Sequence, residues 1–459
     1  MTISLDLATA AAEMGGAATG DKASFLGVST DSRSVAAGEL FFALKGENFD
    51  GHDFVSLAKE KGASAAVIAA AESERFKDLG LPLIAVADPR LALGSLAAAW
   101  RARFSLPLVA VTGSNGKTTT KEMLTSIMRA AYGDAVLATQ GNFNNDIGLP
   151  LTLLKLGPEH KAAVIEMGMN HPGEIGYLAR LTKPTVGLVT NAQRAHLAGM
   201  GTLATIAGEK GSLFLELGAN GVAVFNADDV WADIWRSQSA GCKVMSHSFE
   251  RPAEVFGACA LHGLENHLTI SFAGAEIEVA LALPGAHNAR NALAAASAAL
   301  ATGVTLETVR VGLAAFRGIK GRLQRREGLH GAVVLDDTYN ANPDSVRAGI
   351  DVLAATVGKK ILVLGDMGEI GEMTGQFHDE VGGYAKSQGI DRLFAFGDSS
   401  AIAAYNFGAG GAHFKKIDEL IDAVRSEMTA QTIVLVKGSR FMRMERVSEA
   451  ITVPPGEKK

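Results

Sequence analysis

Short β-branched runs that end on a polar residue or glycine recur along the middle of the chain, separated by stretches of helical periodicity. LVAVTG (108–113), AVIEMG (163–168), VGLVTN (186–191) and GVAVFNADD (221–229) are the clearest. Runs apolar at every position suit strands buried on both faces, so this pattern predicts a mostly parallel sheet with helices on both sides. Ligands bind such sheets at the carboxyl ends of the strands, so chemistry is expected at those polar endings. HLTISFAGAEIEVALAL (267–283) alternates instead and predicts an antiparallel edge hairpin. Two flanking regions differ in style. Residues 1–106 predict an opening amphipathic helix, a polar loop STDSRSVAAGE (29–39), strands at LFFAL, AAVIAA and PLIAVAD, and a closing helix over 91–104 before Pro107. After residue 316, AVVLDDTYNANP, KILVLGDMGE, RLFAFGD and TIVLVKGS read as four strand-then-loop units of a second doubly wound sheet. The expectation is an α/β chain of three domains, 1–106, 107–316 and 317–459. The tail PPGEKK is expected to fray.

At 459 residues the chain is too long for one core. Its 47% hydrophobic and 20% charged content describes an ordinary globular protein. A net charge of −6 with scattered Lys and Arg gives no global field for nucleic acid. Cys242 and Cys259 have no metal-ligand neighbours at short spacing and read as buried small residues of a cytosolic protein. The first residues lack a basic signal-peptide region, and the mild run 291–304 is too short to span a bilayer and reads as a buried helix. A cytoplasmic monomer without membrane insertion is expected.

The chemistry concentrates in AVTGSNGKTTTKE (110–122). Its GKTT ending belongs to a phosphate loop, but Val111 stands where G-x-x-x-x-G-K-[ST] needs glycine, so the loop is shortened. Gly113, Ser114, Asn115, Gly116, Lys117, Thr118 and Thr119 follow a strand and open a helix, where backbone N–H groups favour anions. Lys117 can reach outer phosphates, and Thr118 or Thr119 can offer a hydroxyl to Mg²⁺. Glu166, at a strand end, suits a Mg²⁺ ligand or a cap for the helix after HPGE (171–174). His196 reads as a structural histidine or a ligand. Lys210, on a helix that Thr202 could cap, reads by itself as a solvated lysine. Asn142, Asn144 and Asn145 crowd a glycine-flanked loop, suiting either a turn or recognition of polar groups. Asn288 and Asn291 lie at a helix start, one as an N-cap and the other free for a base edge. Asp337 follows a strand, as a ribose-binding carboxylate does, with Tyr339 and Asn340 beyond it.

Together, TGSNGKTTTKE, TQGNFNNDIGLP, EMGMNHPGEI, AHLAGMG…EKG, GAHNARNALAA, GRLQRRE, DDTYNANPDS and LGDMGEIG resemble the Mur ligases, in the order found there. The NFNND, EMGMNHPGEI and YNANPDS versions point to the branch that joins D-alanyl-D-alanine to UDP-N-acetylmuramoyl-tripeptide. The resemblance covers nearly the whole chain and is weakest between about 231 and 282. It implies a small UDP-sugar-binding domain, a central P-loop-type ATP domain and a C-terminal Rossmann-like domain. It further implies ATP and Mg²⁺, with Lys117 on the γ-phosphate, Thr118 and Glu166 on one Mg²⁺, and His196 on a second. Lys210 matches a lysine that family members carbamylate, which would make it an anionic metal ligand. Asn291 would read adenine, Asp337 ribose, and Arg322 the phosphates. Ser32, Arg33 and Lys45 would hold the UDP part. Ala198 departs from the family, where an acidic residue is frequent. A folylpolyglutamate synthase-like ligase shares the central chemistry but lacks the N-terminal DSR…FFALKG segment. A nucleotide-driven switch or a non-catalytic scaffold has no use for that segment together with GKTT, Glu166 and His196.

Overall fold

The computed structural model describes residues 3–19, 23–262 and 264–454. Past Pro454 the expected frayed tail lies outside the described residues. The chain forms three α/β units, each around its own main sheet.

The first unit carries a five-stranded sheet in the order Ala17–Thr19, Leu83–Val86, Ala65–Ala69, Leu40–Phe42, Val28–Ser29. It is parallel apart from Ala17–Thr19 at the edge. The expected opening helix is preceded by a strand, Ser4–Asp6, paired with Ser24–Leu26, and shrinks to Leu7–Glu13. Asp6 caps that helix by accepting from the Thr9 N–H at 2.8 Å.

The central unit has nine strands. Leu108–Thr112 lies between Ala162–Glu166 and Val186–Val189, parallel to both. The chain leaves Leu108–Thr112 for Val136–Ala138 on one side and later returns to Val186–Val189 on the other, so a crevice opens where the order reverses. The edge is antiparallel as the alternation predicts, but it has three strands, Val255–His262, Glu265–Phe272 and Ala275–Leu281. The helix Ala286–Ala301 is buried on nearly every side, as its small apolar residues require. Cys242 and Cys259 are free but only half-buried, a correction to their reading as core residues.

The third unit has six strands, not four: the edge strands Gln324–Glu327 and Gly411–Phe414 are too short and polar to stand out in the sequence.

The joins between units differ in kind. The helix Pro89–Arg101 starts on Pro89 after Asp88, whose side chain accepts from the Arg90 and Leu91 N–H groups. Its Leu93, Leu96 and Ala97 belong to one core running from Phe42 of the first unit to Ile165 and Phe214 of the second. Arg101, 5% exposed, donates to the Thr182 carbonyl at 3.0 Å, at the end of the central helix Glu174–Thr182. The third unit keeps separate cores, with only Leu197 and Leu264 of the central unit packed against one of them.

His247, on the strand Lys243–Ser248, is 2% exposed, and its Nε2 has no hydrogen-bond partner. Burial pushes its pKa down to about 4, against a smaller opposing pull from Asp228. Below the ordinary value of about 6.5 the unfolded chain binds a proton that the folded imidazole refuses. The folded state then loses about 1.4 kcal/mol per pH unit until the folded pKa is passed. Melting curves of the wild type and His247→Gln between pH 7 and pH 4 test this. The wild type's stability relative to the variant should fall across that window, and parallel curves would contradict it.

Candidate active site

The phosphate-type loop sits at the reversal crevice, and its shape is forced by neighbours. Gly113 has φ +150°, and a Cβ there would meet Thr190 Oγ1 at 1.8 Å. Gly116 has φ +79°, and a Cβ there would meet Asn291 Oδ1 at 2.2 Å. Between them the loop is stitched to the end of the neighbouring strand. The Ser114 N–H donates to the Asn191 carbonyl at 2.9 Å, and the Asn115 N–H to Asn191 Oδ1 at 2.9 Å. Ser114 Oγ and the backbone of Gln193 exchange hydrogen bonds at 3.0 and 2.9 Å. The helix Lys117–Tyr132 therefore begins at the crevice with its first N–H groups open to an anion.

Lys117 folds back and donates to the carbonyls of Gly113 at 2.6 Å and Ser114 at 3.2 Å. Its pKa is lowered, first by burial, with Glu166 opposing and Arg322 adding to the effect. Glu166 ends its strand 2% exposed. Its Oε1 accepts from Asn144 Nδ2 at 2.8 Å and Thr118 Oγ1 at 3.3 Å, while its Oε2 has no partner. The capping alternative for Glu166 does not hold. The helix Glu174–Thr182 is capped by Glu209, whose carboxylate accepts from the N–H groups of Gly173 and Ile175 at 2.8 Å each. A buried carboxylate oxygen without a partner, beside a threonine hydroxyl, suits a hard divalent cation with oxygen ligands. Among the described residues no group of three or more His, Cys, Asp or Glu stands ready to hold a metal by itself. Such an ion would complete its shell with water and phosphate.

A cleft of about 810 Å³ opens over the loop and is bounded by all three units. Arg90 and Leu91 come from the first, Asn142, Asn144 and Asn145 from the second, and Arg322, Tyr339 and Asn340 from the third. His196 also lines it, in a left-handed conformation with φ 60°, its Nδ1 3.1 Å from Glu369 Oε2 of the third unit. The Arg322 guanidinium stacks 4.0 Å from the Tyr339 ring centroid.

Other candidates fall elsewhere. Lys210 is 1% exposed, which corrects its reading as a solvated lysine; no carboxylate of the described residues lies within ion-pair distance. Its pKa is driven well down by burial and then by the Lys117 charge. Neither asparagine caps its helix: the N-cap is Gly285, Asn288 Nδ2 donates to the Pro284 carbonyl at 2.8 Å, and Asn291 packs on Gly116. Asp337 is buried against Lys437 Nζ at 2.6 Å and does not line the cleft. Ser32, Arg33 and Lys45 lie outside it in the first unit, Arg33 paired with Asp31 and Lys45 mostly exposed. Ala198 packs beside Gly371 of the third unit, and the carboxylate near His196 is that of Glu369. Glu369, Asn342 and Arg194 have no role in the sequence reading, although the first two sit inside quoted motifs and Arg194 directly precedes one. Their partners are distant in sequence, so no local pattern marks them.

The loop geometry makes Gly116→Ala a direct test. A side chain there needs a left-handed backbone and must displace Asn291, a strain of about 1–3 kcal/mol. Nucleotide affinity measured by calorimetry should fall about tenfold or more, with the fold intact by circular dichroism; unchanged affinity would contradict the tight loop.

Comparison with known proteins agrees with this architecture. Sequence-family models match over residues 24–101 (Mur ligase family, catalytic domain), 111–299 (Mur ligase middle domain) and 321–440 (Mur ligase, glutamate ligase domain). The chain is 42% identical to the UDP-N-acetylmuramoyl-tripeptide–D-alanyl-D-alanine ligase of Escherichia coli (strain K12), over 92% of this chain and 93% of the relative. It superposes on MurF from Acinetobacter baumannii with a TM-score of 0.91 at 34% identity, covering 98% of both chains. MurF ligase from Thermotoga maritima in complex with ADP matches with a TM-score of 0.80 at 27% identity, over 92% of this chain and 96% of that one. A shortened phosphate loop between a strand and a helix, a cleft bounded by three α/β units and relatives matching over nearly their whole length lead to one assignment: the chain belongs to the Mur ligase family.

Proposed function

We infer that the protein is an ATP-dependent amide-forming ligase that joins D-alanyl-D-alanine to UDP-N-acetylmuramoyl-tripeptide in peptidoglycan precursor synthesis. One observation carries this reading: a single cleft bounded by all three units, with the phosphate-type loop on its floor. The relatives' shared activity and the ADP complex of one of them support it. A hydrolytic switch has no need of the first unit's wall. In this reading one copy of the chain carries the reaction, working on nucleotide-linked substrates in the cytoplasm. No helix among the described residues is long and apolar enough to cross a membrane.

The tripeptide's terminal carboxylate oxygen attacks the γ-phosphorus of ATP, and the bond to the ADP oxygen breaks. The resulting acyl phosphate is attacked at carbon by the free amine of the dipeptide. Phosphate leaves with the carbon–oxygen bond electrons, and the nitrogen gives its proton to solvent. Phosphoryl transfer depends on positioning and charge stabilisation. Lys117 of the central unit and Arg322 of the third both line the cleft and would offset the negative charge that gathers on the transferred oxygens. Backbone N–H groups of residues 116–119 would hold the phosphates. Thr118 and Glu166 would hold one Mg²⁺, with His196 and a carbamylated Lys210 serving a second. Bound there, Mg²⁺ would neutralise phosphate charge. Asn291 against the loop would face adenine, and Ser32, Arg33 and Lys45 the UDP end, whereas Asp337, paired with Lys437 outside the cleft, takes no ribose contact. Closure of the third unit excludes water from the acyl phosphate.

Burial favours the neutral Lys210 amine, the form that can attack carbon dioxide, forming a C–N bond and releasing one proton to give a carbamate. Lys210→Ala should therefore be nearly inactive and regain part of its rate with acetate, and Lys210→Arg should stay inactive. Wild-type rates in both variants would remove the carbamate. The reaction itself is tested by phosphate release with each peptide substrate omitted in turn. Release should need both, and equal release without the dipeptide would favour a hydrolytic switch.

A further inference from the structure

The third unit shares no core with the central one, yet one central side chain reaches deep into it. Arg194 lies between the strand Val186–Val189 and His196, in a segment hydrogen-bonded to the phosphate loop. Its Nε and one terminal nitrogen donate to Asp344 Oδ1 at 3.0 and 2.6 Å, and its backbone N–H donates to Asp344 Oδ2 at 2.8 Å. The other terminal nitrogen donates to Glu380 Oε2 at 2.8 Å, and the first also reaches Glu380 Oε1 at 3.1 Å. The guanidinium stands over the Phe377 ring, 5.2 Å from its centroid. Asp344 is on the helix Pro343–Ala354, and Phe377 and Glu380 are on Thr374–Ser387, so one guanidinium grips two helices of the third unit. Arg347 donates to the same Glu380 oxygen at 2.8 Å and brings the network to two cations and two carboxylates. Only about a fifth of the Arg194 side chain is exposed.

We propose that Arg194 is a positioning residue for the ligation reaction, the latch that sets the third unit in its closed place over the cleft. The remaining polar links are slighter. Asn115 and Asn342 exchange amide hydrogen bonds at 2.7 and 3.4 Å, and His196 pairs with Glu369. Arg194 differs in being tied at both ends. Its neighbour Gln193 is bonded to Ser114 of the loop, with its side-chain oxygen accepting from Asn115 Nδ2 at 2.7 Å. The distance between the loop and the helix Pro343–Ala354 is therefore set chiefly through Arg194, with the Asn115–Asn342 pair beside it, and with it the placing of Arg322, Tyr339 and Glu369 above the loop. A planar guanidinium with a fixed fork of donors suits this role, whereas a lysine ammonium holds one point without fixing orientation.

The proposal rests on the ligase reading for its kinetic arm, but closure can be read without turnover. Small-angle scattering of the full-length protein, with a non-hydrolysable ATP analogue and with UDP-tripeptide, reports compaction. Arg194→Ala should stay more expanded than the wild type under these conditions. In steady-state assays Arg194→Ala should lose about tenfold or more in kcat, as expected when a partly buried, hydrogen-bonded charge pair is broken across an interface. Arg194→Lys should recover only part of that loss. Glu380→Gln should cut kcat in the wild type but much less in the Arg194→Ala background, because its contact to Arg194 is already gone and only the one to Arg347, within the third unit, remains. Wild-type compaction together with wild-type kcat in Arg194→Ala would overturn the latch, as would full additivity with Glu380→Gln. Should Arg194→Ala fail to fold, Glu380→Gln alone carries both readouts, and wild-type behaviour there overturns the latch as well. Altered compaction in a protein without ligase activity would uphold the latch and refute the ligase reading, so the two fail separately.

Discussion

Thr190 leaves room at residue 113 for nothing larger than a hydrogen atom. With a Cβ there 1.8 Å from the threonine oxygen, only glycine lets the strand Leu108–Thr112 turn beside its neighbour Val186–Val189. The rest of the site follows from that contact. The close approach lets the backbone of Ser114 and Asn115 bond to residues 191–193, which aims the next helix at the crevice. Asn291, from a helix far along the chain, presses on Gly116 and fixes the second corner. Lys117 and Thr118 are thereby delivered to the floor of the cleft beside Glu166. The loop does without the longer glycine pattern because tertiary contacts supply the constraint.

Electrostatics at this floor is unbalanced in a way that favours ligands. Burial lowers the pKa of Lys117 and of Lys210, and a neighbouring cation adds to each shift, Arg322 for Lys117 and Lys117 for Lys210. Glu166 keeps one oxygen unpaired in a dry place. Unsatisfied buried charge is costly in a folded protein and is retained where a ligand completes it. A triphosphate brings negative charge for Lys117, and a divalent cation brings positive charge for Glu166. Binding both together relieves more than binding either alone.

The joins between units divide the labour. A continuous apolar core fuses the first and second, so the first unit's wall of the cleft is rigid relative to the loop. The third meets the others through asparagines, ion pairs and a few apolar side chains. Polar interfaces of this kind exchange readily with water, so domain motion is expected across them and not across a shared core. The groups that complete the cleft, Arg322, Tyr339 and Glu369, are all carried on the movable side.

The strands of the central sheet, the phosphate loop and the order of the motifs were legible in the sequence because they are local. Strand periodicity, a glycine at a turn and a lysine three or four residues on are all readable within a dozen residues. The same holds for the antiparallel edge over 267–283 and for Thr202 as a helix cap, which accepts from the Thr205 N–H at 3.1 Å. The short edge strands Gln324–Glu327 and Gly411–Phe414 were not legible, since a few polar residues extended by a neighbour have no pattern of their own. Burial of Lys210 was hidden for a related reason: its helix has apolar neighbours on both sides, and only packing decides which face is inside. The tertiary structure alone decided that Asp337 turns to Lys437, that Asn288 and Asn291 leave capping to Gly285, and that Glu369 meets His196. Each depends on a partner held in place by a different strand or domain. Residue type and spacing determine which chemistry a segment is able to perform, and only the folded chain brings the second half of each interaction within reach.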